Sequence, residues 1–419
     1  MYMTKRRLIL HIDVNSAYLS WDACYRLQHG EKLDLREVPS AVGGNPKNRH
    51  GIILAKSIPA KKYNITTGET LYSALKKCPD LVVVPPRYDL YMRCSNAMVD
   101  ILKEYSSSVQ RFSIDECFLD LTYSNSNISD IELAKQIKTR IRDTLGFTVN
   151  IGISTNKLLA KMASDFEKPD KVHTLYPEEI QEKMWPLPVE DLFMVGRSTA
   201  PKLRALNINS IGDLANYNLE ILRYEFKSFG KTLWNYANGI ENSSVLSESH
   251  TTMKSLGNST TIPYDIKCKE EAYKIILSLV ETVSLRLRNS ENLCSVVSLN
   301  IKNTSFMSYS KQIKLFTPVD STMKIFDTCC QLLDKLWIGE PIRHIGVHVS
   351  DLRSNSAYQI SFFDEEQVEK SKNLDKAIDG IRERFGDYSI VRGVFVNSGV
   401  KPLSGGVGED EYTFMSSIL

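Results

Sequence analysis

The sequence predicts a multidomain α+β chain, and three observations carry that expectation. Over the first 170 residues, strand-like apolar runs alternate with segments of helical period, the sign of an α/β sheet domain. Residues 177–240 lack strand signals and hold several short helical segments. After a polar, Ser-rich linker at 241–249 (ENSSVLSES), strands mixed with helices return. The 419 residues also exceed what one ordinary core organises. With 42% hydrophobic and 24% charged residues, the composition is that of a soluble globular protein. No stretch approaches the roughly 18 apolar residues of a membrane span, and Met1–Arg7 enters a strand-like run without a signal h-region. We therefore expect a cytoplasmic protein with no membrane partner. The eight cysteines form no CxxC pair, which argues for reduced thiols rather than disulfides or a zinc site.

Leu8–Val14 (LILHIDV) reads as a buried strand, apolar on both parities except at His11 and Asp13. Residues 30–70 are rich in Gly, Pro, Asn and Lys and read as a small, irregular basic insertion. Tyr88–Tyr105 has helical period. Arg111–Thr122 (RFSIDECFLDLT) reads as β around an acidic pair. Ile128–Gly146 reads as a helix stopped by Gly146, and Phe147–Ile153 as a strand. Ser154 is expected to cap a helix running toward Lys168, where Pro169 stops it. In the last domain, helices near 269–289 and 321–337 lie among β-like runs at 256–262, 293–302, 311–316 and 343–350. One more helix is expected at 373–385, in an acidic tail.

Net charge is +2, but it is unevenly spread. Residues 47–77 hold seven bases and one acid, a density that suits a solvated face or a polyanion such as nucleotide phosphate. Asp13 and the Asp115-Glu116 pair interrupt apolar strands. Carboxylates beside apolar strands are costly unless a cation or partner neutralises them. Three on adjacent strands would suit two divalent ions ~3.5–4 Å apart, the arrangement for in-line displacement at phosphorus. Neighbours on a regular strand face opposite ways, so Asp115 and Glu116 can share a site only at a turn or bulge. A turn residue at Asp13 and a hairpin tip at Asp115-Glu116 are the bland alternatives.

IDVNSAYLSWDA at 12–23, FSIDECFLDL at 112–121 and GISTNKLLAKMASDFEKPD at 152–170 resemble, in order and spacing, three motifs of the Y-family translesion DNA polymerases, the DinB/UmuC family. The resemblance covers residues 6–352, and DVNSAY is closer to the UmuC-type branch. It implies a right-hand polymerase: a ferredoxin-like palm (1–20 and 75–170), small fingers (21–74), a helical thumb with a helix-hairpin-helix (171–240), the linker (241–253), an α/β little finger (254–352) and a tail (353–419). It implies Asp13, Asp115, Glu116 and the Val14 carbonyl as ligands of two Mg²⁺ ions, with Mn²⁺ as a substitute. Tyr18 falls on the steric-gate position, where a ring under the sugar leaves no room for a 2′-hydroxyl. Lys61 and Lys168 fall where the family contacts the triphosphate, as point charges without the bidentate fork of arginine. Ile58 stands where the DinB branch has a phosphate-binding Tyr. Lys157 and Lys161 lie opposite an apolar stripe and read as solvated helix charges.

Leu192–Ala215 resembles a helix-hairpin-helix, whose turn, with Gly196 and Arg197, would offer backbone N–H groups to a DNA phosphate. Met194 and Asn207 stand where its consensus prefers glycine. Lys254, Lys302, Lys311, Lys314 and Arg343 are candidates for duplex contacts of the little finger. Gln359-Ile360-Ser361-Phe362-Phe363 resembles the bacterial sliding-clamp-binding pentapeptide, with Phe362 for the usual Leu. The resemblance thus implies a monomeric DNA-directed DNA polymerase of low fidelity, acting in DNA repair and the SOS response, with primer–template DNA, dNTP and the bacterial clamp as partners. A palm-type nucleotidyl cyclase would share the acidic pair but needs neither hairpin module nor clamp peptide. A DNA-binding protein with a dead palm would not retain all three carboxylates.

Overall fold

The computed structural model describes residues 6–45, 49, 51–124, 128–245, 253–355 and 365–403, with backbone alone at 365–369. The pentapeptide Gln359–Phe363 and the second half of the Ser-rich linker lie outside these residues. The chain forms two compact units, one built on Met1–Gly43 and Ile53–Thr251, the other on Gly44–Ile52 and Thr252–Glu409.

In the first unit, strand β1 (Ile9–Val14) is buried along its whole length and leads into helix α1 (Ala17–Gln28). The basic insertion is less irregular than its composition suggests. Strands β2 (Ser40–Gly43), β3 (Ile53–Lys56) and β4 (Val82–Val84) form a three-stranded sheet, with short helices α2 (Ile58–Lys61) and α3 (Leu71–Lys77) between β3 and β4. Ala41, Ile53, Ile65 and Leu71 give it a small core of its own. These apolar residues are too scattered in sequence to show a period.

Helix α4 (Tyr88–Lys103) then precedes a hairpin. The run 111–122 is not one strand but two, β5 (Val109–Arg111) and β6 (Glu116–Asp120), joined by a turn that contains Asp115. Helix α5 (Asp130–Leu145) is capped by the Ser129 hydroxyl and ends at Gly146, whose φ of 80° is the left-handed conformation that favours glycine. Strand β7 (Val149–Ser154), helix α6 (Lys157–Ser164) and strand β8 (Val172–Thr174) complete the sheet, ordered β5-β6-β1-β7-β8. β1 is antiparallel to both neighbours. Ser154 is not the cap of α6. It is the last residue of β7 and its hydroxyl donates to the Leu175 carbonyl, while Asn156 caps α6 by accepting from the Leu159 amide at 2.8 Å.

The alternation along β1 assigns its two faces. Leu10, Ile12 and Val14 join the core built with α1, α4 and α5. Ile9, His11 and Asp13 point the other way, toward α6, where Ile9, Phe118 and Ala160 pack together. Helices α7 (Ala200–Ala205), α8 (Ile211–Ala215), α9 (Leu219–Phe226) and α10 (Ser228–Ala237) form a helical core that also takes in Leu158, Leu159 and Met162 of α6.

The second unit is a four-stranded sheet of order β11-β10-β12-β9, from β9 (Ser255–Ile266), β10 (Asn292–Asn303), β11 (Ser308–Val319) and β12 (Ile342–Ser354). Helices α11 (Lys269–Asn289) and α12 (Thr322–Leu336) cover one face. Helix α13 (Glu365–Phe385) starts earlier than expected and docks on α11 and α12 through charge. Glu281, 2% exposed, accepts from Arg392 at 2.8 Å and from Arg382 at 3.4 Å. Arg288 donates to Asp379 at 2.6 and 2.9 Å, and the Thr322 amide donates to Asp375 at 2.9 Å. Among the described residues, no helix is long and apolar enough to cross a membrane.

Candidate active site

The antiparallel register sets Asp13 directly opposite Glu116 on one side and Asn150 on the other. Asp115 lies one residue earlier, in the β5–β6 turn, and its carbonyl accepts from the Val14 amide at 3.0 Å. The turn thus resolves the strand-parity problem: Asp115 leaves the pleat and sits at the same end of β1 as Asp13 and Glu116. Burial pushes the Asp13 and Asp115 carboxyls above their usual range, Lys168 and the Ser113 hydroxyl partly opposing it. Each carboxylate has its own partner: Lys168 for Asp13, Ser113 for Asp115 at 2.6 Å, and Lys161 for Glu116 at 2.5 Å. Hard oxygen donors of this kind suit magnesium or manganese. As they stand they do not converge, since no group of three or more His, Cys, Asp or Glu side chains among the described residues could hold a metal ion.

Lys157 and Lys161 are not solvated. They are 1% and 9% exposed, because α6 is covered on both sides. Its apolar residues meet the helical core, and its polar seam, Lys157, Lys161 and Ser164, faces the sheet at helical spacing. Lys157 reaches Gln110 at 3.3 Å, and the Ser164 hydroxyl lies 2.8 Å from His11 Nδ1. His11 Nε2 lies 3.3 Å from the Glu116 carboxylate, an ion-pair distance without hydrogen-bond alignment. Burial favours the neutral form of Glu116, but His11 and Lys161 outweigh it and bring its pKa down to about 2. Sequence reasoning placed Lys161 outside the site. The signal was present as a lysine three residues before Ser164 and opposite Leu158 and Leu159, but it needed a second buried face to interpret.

A cleft of about 500 Å³ opens at this end of β1, lined by Val14, Tyr18, Lys61, Asp115 and Lys168 among others. Five residues expected to meet a nucleotide or its metal ions therefore share one cavity. Ile58 lines it too. The Tyr18 ring is stacked on Tyr91, centroids 4.4 Å apart and planes 8° apart, with Tyr88 edge-on at 6.2 Å. Burial opposes the charge of Lys168, but Asp13 and Asp165 outweigh it and raise its pKa.

A family model described as the impB/mucB/samB family matches residues 12–165, its C-terminal domain matches 253–362, and its HHH motif matches 177–208. The DNA polymerase IV of Clostridium acetobutylicum is 48% identical over 93% of this chain and 98% of that relative. The chain belongs to the Y-family of DNA polymerases. The DNA polymerase IV 2 of Bacillus subtilis is 34% identical over 93% of this Y-family chain and 95% of the relative. A solved Y-family DNA polymerase chimera of Dbh and Dpo4 shares its fold, with a TM-score of 0.71 over 83% of this chain and 100% of that one at 22% identity. The right-hand polymerase architecture follows.

In this Y-family polymerase, Gly196 and Arg197 are exposed in the turn before α7, and nothing lies within 4 Å of where a Gly196 side chain would start. Met194 and Asn207, which replace consensus glycines, both hold positive φ, 75° and 60°, so the backbone keeps the glycine conformation without the glycine. On the second sheet, the register puts Lys302 and Lys314 on the face away from the helices, beside a shallow trough of about 490 Å³ lined by Gly257, Ser259, Asn300 and Gly346. Lys311 pairs with buried Leu299 and shares the helix-side parity, whereas Arg343 sits at the irregularity between Ile342 and His344, its guanidinium 4.8 Å over the Phe306 ring. Lys254 is exposed just before β9.

Proposed function

We propose that this Y-family DNA polymerase copies past damaged template bases at low fidelity, by two-metal nucleotidyl transfer from a dNTP to a primer 3′-hydroxyl. The observation that carries the reading is the cleft in which Asp115, Tyr18, Lys61 and Lys168 meet at the end of β1. Asp13, Asp115, Glu116 and the Val14 carbonyl would hold two Mg²⁺ ions, with Mn²⁺ able to substitute. Bound there, the ions would supply activation of the 3′-hydroxyl and charge neutralisation at the triphosphate. The protein's own part is positional. Lys161 and His11 keep Glu116 ionised, Lys61 and Lys168 meet the polyphosphate, and Tyr18 closes the space a 2′-hydroxyl would need.

In domain terms we assign 1–20 and 75–170 to the palm, except that β4 completes the sheet of the fingers (21–74), with 171–240 as the thumb, 254–352 as the little finger and 353–419 as the tail. Gly196, Arg197 and Lys254 are assigned to DNA. The enzyme would act as a cytoplasmic monomer in the SOS response, held at the bacterial sliding clamp through Gln359–Phe363. Asp115→Ala should abolish incorporation in Mg²⁺ while leaving primer–template affinity largely intact, because most duplex affinity comes from phosphate contacts elsewhere. Primer extension and a fluorescence binding titration measure the two. Near-wild-type turnover of Asp115→Ala would overturn the metal assignment.

A further inference from the structure

We propose that Asn15 and Asn150 are positioning residues for Lys168: their buried side-chain amides fasten the Asp165–Lys171 loop on both sides of it and so aim its ammonium into the cleft. The inference rests on the reading of Lys168 as a triphosphate contact. Asn150 is fully buried on β7, next to Asp13 in the sheet, and all four of its hydrogen-bonding capacities are used. Its Nδ2 donates to the Ser164 carbonyl at 3.0 Å and to the Glu167 carbonyl at 2.7 Å. Its Oδ1 accepts from Asn15 Nδ2 at 3.1 Å and from the Lys171 amide at 3.2 Å. Asn15, 9% exposed, passes the restraint on. Its Oδ1 accepts from the Thr148 hydroxyl at 3.0 Å and from the Asp170 amide at 2.9 Å.

The bonds therefore bracket Lys168, with the Glu167 carbonyl held on one side and the Asp170 and Lys171 amides on the other. A buried polar side chain on a strand needs partners, and ordinary loop packing would supply them anywhere. Here every loop partner lies within four residues of Lys168, one of the lysines that line the cleft. The requirement is for an amide. A carboxylate at 150 has no donor for the two carbonyls, and an aliphatic residue would leave four backbone and side-chain groups unpaired.

The test is steady-state primer extension by the full chain, measuring kcat and KM for dNTP in wild type, Lys168→Ala, Asn150→Ala and the double variant. Asn150→Ala should raise KM about tenfold or more, the scale of a misplaced bond to a charged group, with a smaller change in kcat. In the Lys168→Ala background that increase should largely vanish, because there is no ammonium left to aim. A structural role alone would give the same factor in both backgrounds, and that result overturns the proposal. If Lys168→Ala raises KM and Asn150→Ala does not, the proposal falls while the reading of Lys168 stands. If Lys168→Ala leaves KM unchanged, both fall. Circular dichroism checks that the variants fold, and Asn150→Ser enters the same comparison should Asn150→Ala fail to.

Discussion

The Tyr18 ring is fixed from behind. It lies flat on Tyr91, whose hydroxyl donates to Asp22 at 2.5 Å, and Asp22, fully buried, accepts from Arg87 Nε at 2.9 Å. Burial and Asp22 raise the pKa of Tyr91, so it remains a donor throughout the working range. At the proposed gate, a ring so backed would not yield to a 2′-hydroxyl, and its discrimination would be a matter of shape. Tyr18→Ala should raise ribonucleotide incorporation by roughly 10²–10³, as expected for a clash of a few kcal/mol at ~1.4 kcal/mol per tenfold. Tyr18→Phe should stay near wild type. The ratio of kcat/KM for dCTP and rCTP opposite template G reads the effect. An unchanged ratio in Tyr18→Ala would make Tyr18 a core residue.

At the scale of elements, the site depends on how closely α6 approaches the sheet. Gly152 of β7 makes the approach possible: a Cβ there would stand 1.9 Å from the Ala160 carbonyl oxygen and 2.5 Å from the Ser164 nitrogen, both backbone atoms of α6. Gly152→Ala should destabilise the fold by about 3 kcal/mol and, by lifting α6, weaken the Lys161–Glu116 pair and incorporation with it. Chemical denaturation measures the first effect, and a loss under about 0.5 kcal/mol would mean that α6 adjusts freely. The strands and helices flanking the site were legible in the sequence because their apolar periods are long and their ends marked, as at Gly146. Asp13, Asp115 and Glu116 were legible as charges set in apolar runs. The small sheet of the insertion was not, since its strands span three or four residues and draw their core from distant positions. Nor were Lys161, His11 and Asn150, because a helix or strand buried on both faces carries no polar stripe to separate solvent from site.

For the whole molecule, the described part of the tail, through residue 403, proves to be part of the second unit. Deleting 365–403 would strand Glu281 and Arg288 on α11 without Arg382, Arg392 and Asp379, and should cost about 3–5 kcal/mol of that unit's stability. Glu281→Leu should recover much of the loss in the shortened chain, and thermal unfolding compares the two; no recovery would mean that the charges are not what holds the tail. The proposed clamp contact is separable from this. Replacing Gln359, Phe362 and Phe363 by Ala should leave synthesis on a short primer unchanged and abolish stimulation by the clamp, and equal clamp affinity of mutant and wild type by calorimetry would sink the assignment. The docked tail also sets where this chain can be cut and rejoined with a relative. A junction between Ser354 and Glu365 would marry α11 to a foreign helix whose charges were never matched to Glu281. A junction in the Ser-rich linker at 241–249 carries α11 and its tail across together, so hybrid enzymes joined there should keep the matched charges between them.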